Sequence, residues 1–305
     1  MATVYDNGKA QYTSDYSEHY KMAEKFAKQI ILGVESVNPL SWIKKGNIEN
    51  GTKIEEAVVE LAESSEWVSE NQTGANLNAP AYPKIDVQYF EEWNGKQFKK
   101  TVSDDQIAKA LMKGMSDMDV AGKIVSSLTE GEGYEDYAEC KGLLVSGIGA
   151  GNIVKYAETV EVGASLITTI KNLTDDFQFV NKNYCKIASA SGSTFKTRTP
   201  FERLRLIMPY TVYNKLNVEV LASLYNLSKA ELLSKITLID EGTKVFIVDE
   251  FGLLEYQRIF KMTSKYVEDA LYQNYWLTVS RLYGTCGLFK MAYIETSATG
   301  KDTEL

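Results

Sequence analysis

The chain has 305 residues, of which 44% are hydrophobic and 24% are charged, a composition typical of globular proteins. Its formal net charge of -8 and pI near 5.0 argue against tight sequence-independent binding of nucleic acids, which requires clustered Lys and Arg. No apolar run reaches the roughly 18 residues of a membrane span, and we expect no signal peptide at the N-terminus.

Residue types suited to catalysis or metal binding are scarce. His19 is the single histidine, and the cysteines Cys140, Cys185 and Cys286 are widely spaced. A histidine-based metal site is therefore excluded, and three scattered cysteines do not match a zinc site. A Ser-His or Cys-His nucleophile would have to recruit His19. We predict no catalytic residue, no metal site and no cofactor, with free thiols in a reducing compartment.

The N-terminal part of the chain is expected to start as an extended arm over residues 1–13. Apolar residues at helical spacing then predict a helix over residues 16–32 that ends at Gly33. The segment 54–63 has no clean period, and we interpret it as a strand. Residues 64–83, rich in polar residues and interrupted by Gly and Pro, are typical of a loop.

Asn94-Gly95 is the most specific local signal, because a type I′ hairpin turn needs positive φ at both central residues. A hairpin closed there places aromatic and charged side chains on both of its faces. Such a ribbon is marginal alone, so we expect it to pack on a neighbouring copy of the chain or to fold back on its own domain. In the first case the contact residues are Tyr89, Phe90, Glu91, Glu92, Trp93, Lys96, Phe98, Lys99 and Lys100.

Helical signals follow. Residues 103–106 match a capping box, and a second start signal begins at Ser116. The next helix is expected over residues 117–146, with a bend or a close contact at its two central glycines. The segment SGIGAGN (146–152) lacks the G-x-G-x-x-G spacing of a phosphate-binding loop, and we interpret it as a corner after the helix.

The second half of the chain mixes helices and strands, which predicts an α+β fold. The expected elements are a helix over 164–176, a polar loop over 188–200, a buried strand over 204–209, a helix over 211–226, strands over 236–240 and 244–250, and a long interrupted strand within 274–295.

Several stretches together resemble a known family. They include GTKIEEAVVELAE (51–63), NQTGANLNAPAYPKIDVQYFEEWNGKQFKKTVSDDQIAKALM (71–112), VAGKIVSSLTEGEGYEDYAECKGLL (120–144), a long segment from LRLIMPY to QRIFK (204–261) and NYWLTVSRLYGTCGLFKMAYIE (274–295). Their order resembles the major capsid proteins of tailed bacteriophages, which have the Hong Kong 97-type fold. The match is one of overall pattern and covers most of residues 50–295.

The resemblance implies a layout of parts. They are an N-terminal arm with a helix (1–51), an extended loop that lies across an adjacent subunit (52–102), a spine helix with the peripheral domain (103–150), an axial domain (151–262) and a C-terminal return to the peripheral domain (263–305). The start of the chain resembles either a processed form or a type that uses a separate scaffolding protein.

The resemblance also implies a function. The chain would be a non-enzymatic structural subunit that self-assembles, as pentamers and hexamers, into the icosahedral shell enclosing phage DNA in the virion. Assembly would take place in the bacterial cytoplasm, with portal, scaffolding and decoration proteins as partners. The DNA would be enclosed without sequence-specific binding, and no membrane would be involved.

Three alternatives stay open at this point. The first is an encapsulin-type nanocompartment shell protein with the same fold. The second is a small-molecule enzyme that uses the 188–200 loop with Asp249 and Glu250, and the third is a monomeric adaptor. Particle size separates them, because a shell protein forms very large particles or rings whereas an enzyme or adaptor stays small.

Overall fold

The computed structural model describes residues 5–6, 9–10, 38–48, 53–62, 64, 80, 82–104, 117–156, 159–216, 218–225 and 228–297. Three expected features lie wholly or largely outside these residues. They are the helix over 16–32, the capping box at 103–106 with the helix after it, and most of the 64–83 loop.

One helix dominates the described part of the chain. It runs from Asp117 to Gly149, matching the expected helix over 117–146, and the expected corner follows it at Gly151, where φ is +72°. The helices are α1 (Asp117–Gly149), α2 (Ala164–Gln178), α3 (Lys186–Ser189), α4 (Tyr210–Tyr213), α5 (Val218–Leu224) and α6 (Lys229–Lys235). No helix among the described residues is long and apolar enough to cross a bilayer.

Thirteen strands occur among the described residues. They are β1 (Tyr5–Asp6), β2 (Lys9–Ala10), β3 (Lys44–Asn47), β4 (Ile54–Val59), β5 (Ile85–Phe90), β6 (Trp93–Ser103), β7 (Val154–Lys155), β8 (Leu204–Pro209), β9 (Ile236–Ile239), β10 (Lys244–Asp249), β11 (Leu253–Val267), β12 (Tyr272–Thr285) and β13 (Met291–Glu295). With the helices, they confirm the predicted α+β class.

The strands form four sheets. A five-stranded sheet has the order β7-β13-β10-β8-β9, and a four-stranded sheet has the order β3-β11-β12-β6. The five-stranded sheet is mixed, since β10 is antiparallel to β8 and β13, whereas β9 and β7 add in parallel to β8 and β13. Two further sheets are the pairs β1-β2 and β4-β5.

The chain divides into two compact units. The first comprises residues 1–38, 94–137 and 257–281, and the second comprises residues 39–93, 138–256 and 282–305.

The core of the second unit forms between α2 and the five-stranded sheet. Helix α2 buries residues at helical spacing, including Leu166, Ile170, Leu173 and Phe177. These side chains join a cluster with residues of β8, β10 and β13, each of which is an apolar run with few exposed positions. The continuous apolar pattern that predicted buried strands over 204–209 and 244–250 therefore reflects a sheet covered by a helix.

The core of the first unit forms around β12. Tyr275, Leu277 and Val279 alternate along this strand and therefore share one face, where they pack with Leu128 of α1 and Val102 of β6. Phe98, Phe260 and Met262 cover the cluster from its margin.

The helix expected over 211–226 is split into α4 and α5 in the structure. The interruption expected in the long strand within 274–295 is confirmed and lies between β12 and β13. Strand β11 is the longest strand in the described part of the chain and has no counterpart among the predicted elements.

The predicted turn at Asn94-Gly95 is wrong. Both residues lie inside β6, and neither has a positive φ. Strand β5 pairs with β4, whereas β6 pairs with β12 in a different sheet. Pairing with β12 lets Phe98 and Val102 pack in an apolar cluster. In a hairpin with charged residues on both faces, these two side chains would bury less apolar surface.

Candidate assembly surface

Strands β4 and β5 form an isolated antiparallel pair, which we call the β-arm. Its register runs from Ile54 opposite Phe90 to Val59 opposite Ile85. Because side chains alternate along a strand and opposed residues share a face, the six pairs divide into two sets of three. The inward set is Ile54–Phe90, Glu56–Gln88 and Val58–Asp86, and the outward set is Glu55–Tyr89, Ala57–Val87 and Val59–Ile85.

The inward face is anchored on its own unit by apolar contacts. Phe90 and Val58 pack against a buried cluster that contains Leu254, Phe195 and Leu288. Ile54 at the end of the same face is buried as well. This packing gives the two-stranded β-arm the support that an isolated hairpin lacks in water.

Polar contacts fix the inward face in register. The side-chain amide of Gln88 donates to the carbonyl of Thr285 at 3.1 Å, and its oxygen accepts from the backbone N–H of Gly287 at 2.7 Å. The Tyr256 hydroxyl donates to Glu56 at 3.2 Å. Burial, with the Glu56 carboxylate beside it, raises the pKa of Tyr256 to about 12, so this hydroxyl stays protonated and donating at neutral pH.

The outward face is apolar and exposed. Val59, Ile85 and Tyr89 are 58%, 54% and 58% exposed, and no described residue of the chain covers them. Leu61 and Tyr82, just beyond the strand ends, are exposed to a similar or greater degree. An apolar patch on a strand pair with two open edges is the kind of surface that another protein chain covers.

Carboxylates lie at the margin of this face. Glu55 is exposed on the outward face, and Glu91 and Glu92 are exposed immediately after β5. Glu91 forms an ion pair with Lys53. An apolar centre with a charged rim is the usual composition of a protein–protein interface.

The residues expected to contact a neighbour fall into two places. Tyr89 lies on the outward face of the β-arm, but Phe90 lies on the inward face and packs within its own unit. Glu91 and Glu92 are exposed between β5 and β6.

The other five expected contact residues belong to β6. Trp93 is half-buried at its start, Lys96 pairs with Glu135 of α1, and Phe98 joins the core of the first unit. Lys99 lies over the Trp276 ring at 5.7 Å from its centroid, and Lys100 is exposed. Lys96, Phe98 and Lys99 therefore have partners within their own chain, and their contact with a neighbouring copy stays a prediction.

Sequence reasoning missed apolar residues of the outward face, which are Ala57, Val59, Ile85 and Val87, together with Leu61 and Tyr82 just beyond the strand ends. The segment 54–63 shows no clean period because Val58 and Val59 are both apolar although they lie on opposite faces. Pairing β4 with β5 in register would have separated the faces, but the Asn94-Gly95 signal directed β5 to a different partner.

The carboxylates considered for an enzyme serve structural roles. Asp249 is fully buried and accepts hydrogen bonds from the Thr199 hydroxyl at 2.8 Å and the Phe251 backbone N–H at 3.0 Å, while also pairing with Arg203. Glu250 pairs with Arg205 at 3.1 Å. Both carboxylates are thus engaged in holding the turn after β10.

Fold and surface together define the class. An α+β chain with a long helix, two main sheets and an anchored β-arm with an uncovered outward face has the Hong Kong 97-type capsid fold. The fold recurs in the capsid structure of Staphylococcus phage Andhra, with a TM-score of 0.67 and 11% identity over 84% of this chain and 83% of that one. It also recurs in the capsid structure of the cyanophage P-SCSP1u, with a TM-score of 0.53 and 12% identity over 84% and 86%.

The chain belongs to the Phi29-like phage major capsid protein family, whose sequence profile matches residues 6–294. It is 26% identical over 258 residues to the major capsid protein of Bacillus phage GA-1, covering 81% of this chain and 54% of the relative. It is 23% identical over 276 residues to that of Bacillus phage PZA, covering 85% and 60%. The chain therefore spans a little over half the length of these relatives.

Proposed function

We propose that this chain is the structural subunit of a phage head shell, which self-assembles into an icosahedral container around phage DNA and remains in the virion. The outward face of the β-arm carries the proposal, because it is an apolar surface that the described chain leaves uncovered. Membership of a phage major capsid family supports a phage shell over an encapsulin-type compartment.

The physical basis is the burial of this face by a neighbouring copy. Fully burying a side chain such as Val, Ile or Tyr is worth roughly 1.5–3 kcal/mol, so Val59, Ile85 and Tyr89 supply several kcal/mol to each contact. Each copy offers one β-arm and receives one. Such head-to-tail contacts close into rings when the rotation between copies permits it.

The layout implied by the resemblance is part of the proposal. Residues 1–51 form the N-terminal arm, 52–102 the extended loop, 103–150 the spine helix with peripheral residues, 151–262 the axial domain and 263–305 the return. Copies associate as pentamers and hexamers, with portal, scaffolding and decoration proteins as further partners. All nine predicted contact residues remain proposed contacts, and five of them are exposed in the subunit, namely Tyr89, Glu91, Glu92, Lys99 and Lys100.

The test compares two double variants on the outward face. Val59→Asp with Ile85→Asp places charge in the proposed interface, whereas Val59→Ile with Ile85→Val keeps it apolar. Both residues are exposed in the subunit, so both variants should fold, as checked by circular dichroism. We expect shells or rings from the wild type and the apolar variant, and small species from the Asp variant, in sedimentation velocity and negative-stain microscopy.

Two results would count against the proposal. One is a wild-type chain that stays monomeric at high concentration. The other is an Asp variant that assembles as readily as the apolar one.

A further inference from the structure

A basic surface stands out in this acidic chain. Residues 177–201 contain four basic residues and no acidic residue, although the whole chain has a net charge of -8. The four are Lys182, Lys186, Lys196 and Arg198, and all of them are exposed. We call residues 182–198 the basic segment.

The backbone of the basic segment is held in place. The Phe195 side chain is buried in the same apolar cluster that anchors the β-arm. Asn181 and Thr197 exchange backbone hydrogen bonds of 3.2 and 3.1 Å, and the Lys182 ammonium donates to the Ser193 carbonyl. The backbone that carries these charges is therefore ordered before a partner binds, which reduces the conformational entropy lost on binding.

Three of these charges have no counter-ion among the described residues. Lys186, Lys196 and Arg198 form no ion pair with any residue of the described chain. Acidic groups beside the segment accept hydrogen bonds from its polar side chains or from its flank. Asp176 accepts from the Asn181 amide at 2.9 Å, and Glu60 accepts from the Thr194 hydroxyl at 2.8 Å.

A neighbouring lysine adds to the positive charge. Lys84 is exposed and donates to the Thr194 hydroxyl at 3.3 Å. It therefore adds a fifth basic residue beside the four of the basic segment.

The complementary charge lies in and around the β-arm. Strands β4 and β5 contain three acidic residues and no basic residue, and the whole stretch 54–92 contains nine acidic residues and one basic residue. Glu55 on the outward face and Glu92 beyond β5 are exposed and form no ion pair within the described residues.

We infer that the basic segment of one copy receives the acidic β-arm of a neighbouring copy. This rests on the proposed shell function and names the receiving surface. The inward face of the β-arm packs on its own unit, so Glu55 faces away from that packing and is available to a second molecule. The apolar outward face supplies affinity, while the opposite charges direct the approach and fix the register.

Charge reversal on each side tests the inference. One variant carries Lys186→Glu, Lys196→Glu and Arg198→Glu, a second carries Glu55→Lys and Glu92→Lys, and a third combines all five. A control with the same charge change carries Lys215→Glu, Lys261→Glu and Lys265→Glu at exposed lysines elsewhere. The measurement is the lowest protein concentration at which shells or rings form.

Each variant reversed on one side should raise this threshold concentration about tenfold or more. The combined variant should return the threshold most of the way to the wild-type value. The control should assemble like the wild type. Raising the salt concentration should weaken wild-type assembly, since screening acts on exposed charges. Two results would overturn the inference. One is a reversed basic segment that assembles like the control, and the other is a combined variant whose threshold is no lower than that of either one-sided variant.

Two further outcomes separate binding of the β-arm from binding of nucleic acid and from failure of the shell proposal. Normal shells from the segment variant that no longer retain nucleic acid would overturn the inference and assign the segment to nucleic acid. Small species from the wild type and the control alike would overturn the shell proposal together with this inference.

A crosslinking experiment provides a direct readout. Glu92→Cys and Lys196→Cys are placed in separate copies, which are mixed and treated with a bifunctional thiol reagent. The native cysteines Cys140, Cys185 and Cys286 are buried, so they should react slowly. A covalent dimer is expected from this pair and not from Glu92→Cys with Lys215→Cys. Equal dimer yields from both pairs would contradict the assigned surface.

Discussion

Gly284 of β12 and Phe90 of the β-arm are in direct contact. A Cβ atom on Gly284 would lie 2.6 Å from Cδ1 of the Phe90 ring and 2.9 Å from Cδ1 of Leu254. The glycine does not have a positive φ, so packing rather than backbone conformation requires it. The inward face of the β-arm thus rests on a strand that has no side chain at the point of contact.

Gly284→Ala should destabilise the folded chain. The added methyl group forces the Phe90 ring and Leu254 out of place, and overpacking of this kind costs about 1–3 kcal/mol. Denaturant unfolding measures the loss. Gly142→Ala is the control, because its Cβ would meet no atom within 4 Å in the middle of α1 and should stabilise the chain by about 0.5–1 kcal/mol. Equal stabilities of the two variants would refute the contact.

Local sequence patterns were sufficient to predict the elements whose buried face follows from the spacing of their own apolar residues. Helix α2 has an apolar stripe at helical spacing, and β8 and β10 are apolar runs bounded by turn residues, so each could be predicted. The β-arm could not, because its partner strand lies beyond a long connection and its two faces become distinct only in register.

The residues predicted from the sequence to contact a neighbouring copy differ in where the structure places them. Tyr89 is predicted to contact a neighbouring copy because an aromatic residue of a marginal ribbon needs cover, and it lies on the exposed outward face. Phe90 and Phe98 were assigned with it, but each finds apolar cover that only the tertiary structure brings near, Phe90 at Gly284 and Phe98 at Gly131. A Cβ on Gly131 would lie 3.9 Å from the Phe98 ring, an ordinary van der Waals distance, so the bend or close contact expected at the central glycines of α1 stays a prediction.

Arg281→Leu should be strongly destabilising. Arg281 is buried and forms ion pairs with Glu132 and Asp136 of α1, and Glu132 is itself buried. Removing the guanidinium leaves carboxylates without their counter-ion in a poorly solvated site, which costs about 3–5 kcal/mol. Thermal or denaturant unfolding measures the change.

The partner substitution distinguishes charge from packing. Adding Glu132→Leu to Arg281→Leu removes one of the uncompensated carboxylates and should recover part of the lost stability. A double variant that is less stable than Arg281→Leu alone would show that the loss came from packing.

Lys290 makes stability depend on pH in the alkaline range. Its side chain is fully buried, and the ammonium donates to the carbonyls of Asp176 and Phe179 at 3.0 and 2.9 Å. Burial lowers the pKa of Lys290 from 10.5 to about 8, against the opposing effects of Asp176 and Cys185. Between these two values the unfolded chain binds more protons at this site than the folded chain does, so stability rises with pH.

The comparison of wild type with Lys290→Met isolates this contribution. The free energy of unfolding of the wild type, relative to the variant, should rise between about pH 8 and 10.5 by up to about 1.4 kcal/mol per pH unit. Below pH 8 the difference should be constant. Denaturant titrations across this range provide the measurement, and a difference that is flat or falling would contradict the lowered pKa.

Gln88→Leu should release the β-arm from its unit without unfolding the core. Gln88 donates to the carbonyl of Thr285 and accepts from the buried N–H of Gly287, so leucine leaves that N–H without its partner at a cost of about 1–3 kcal/mol. Local opening should increase in β4 and β5, and hydrogen exchange of residues 54–59 and 85–90 should accelerate while β8 and β10 stay protected. Gln97→Leu removes an exposed hydrogen bond to Thr278 and should change stability by no more than about 0.5 kcal/mol. Because a neighbour must bind an ordered β-arm, Gln88→Leu should also weaken assembly, and unchanged exchange with unchanged assembly would show that Gln88 does not hold the β-arm in place.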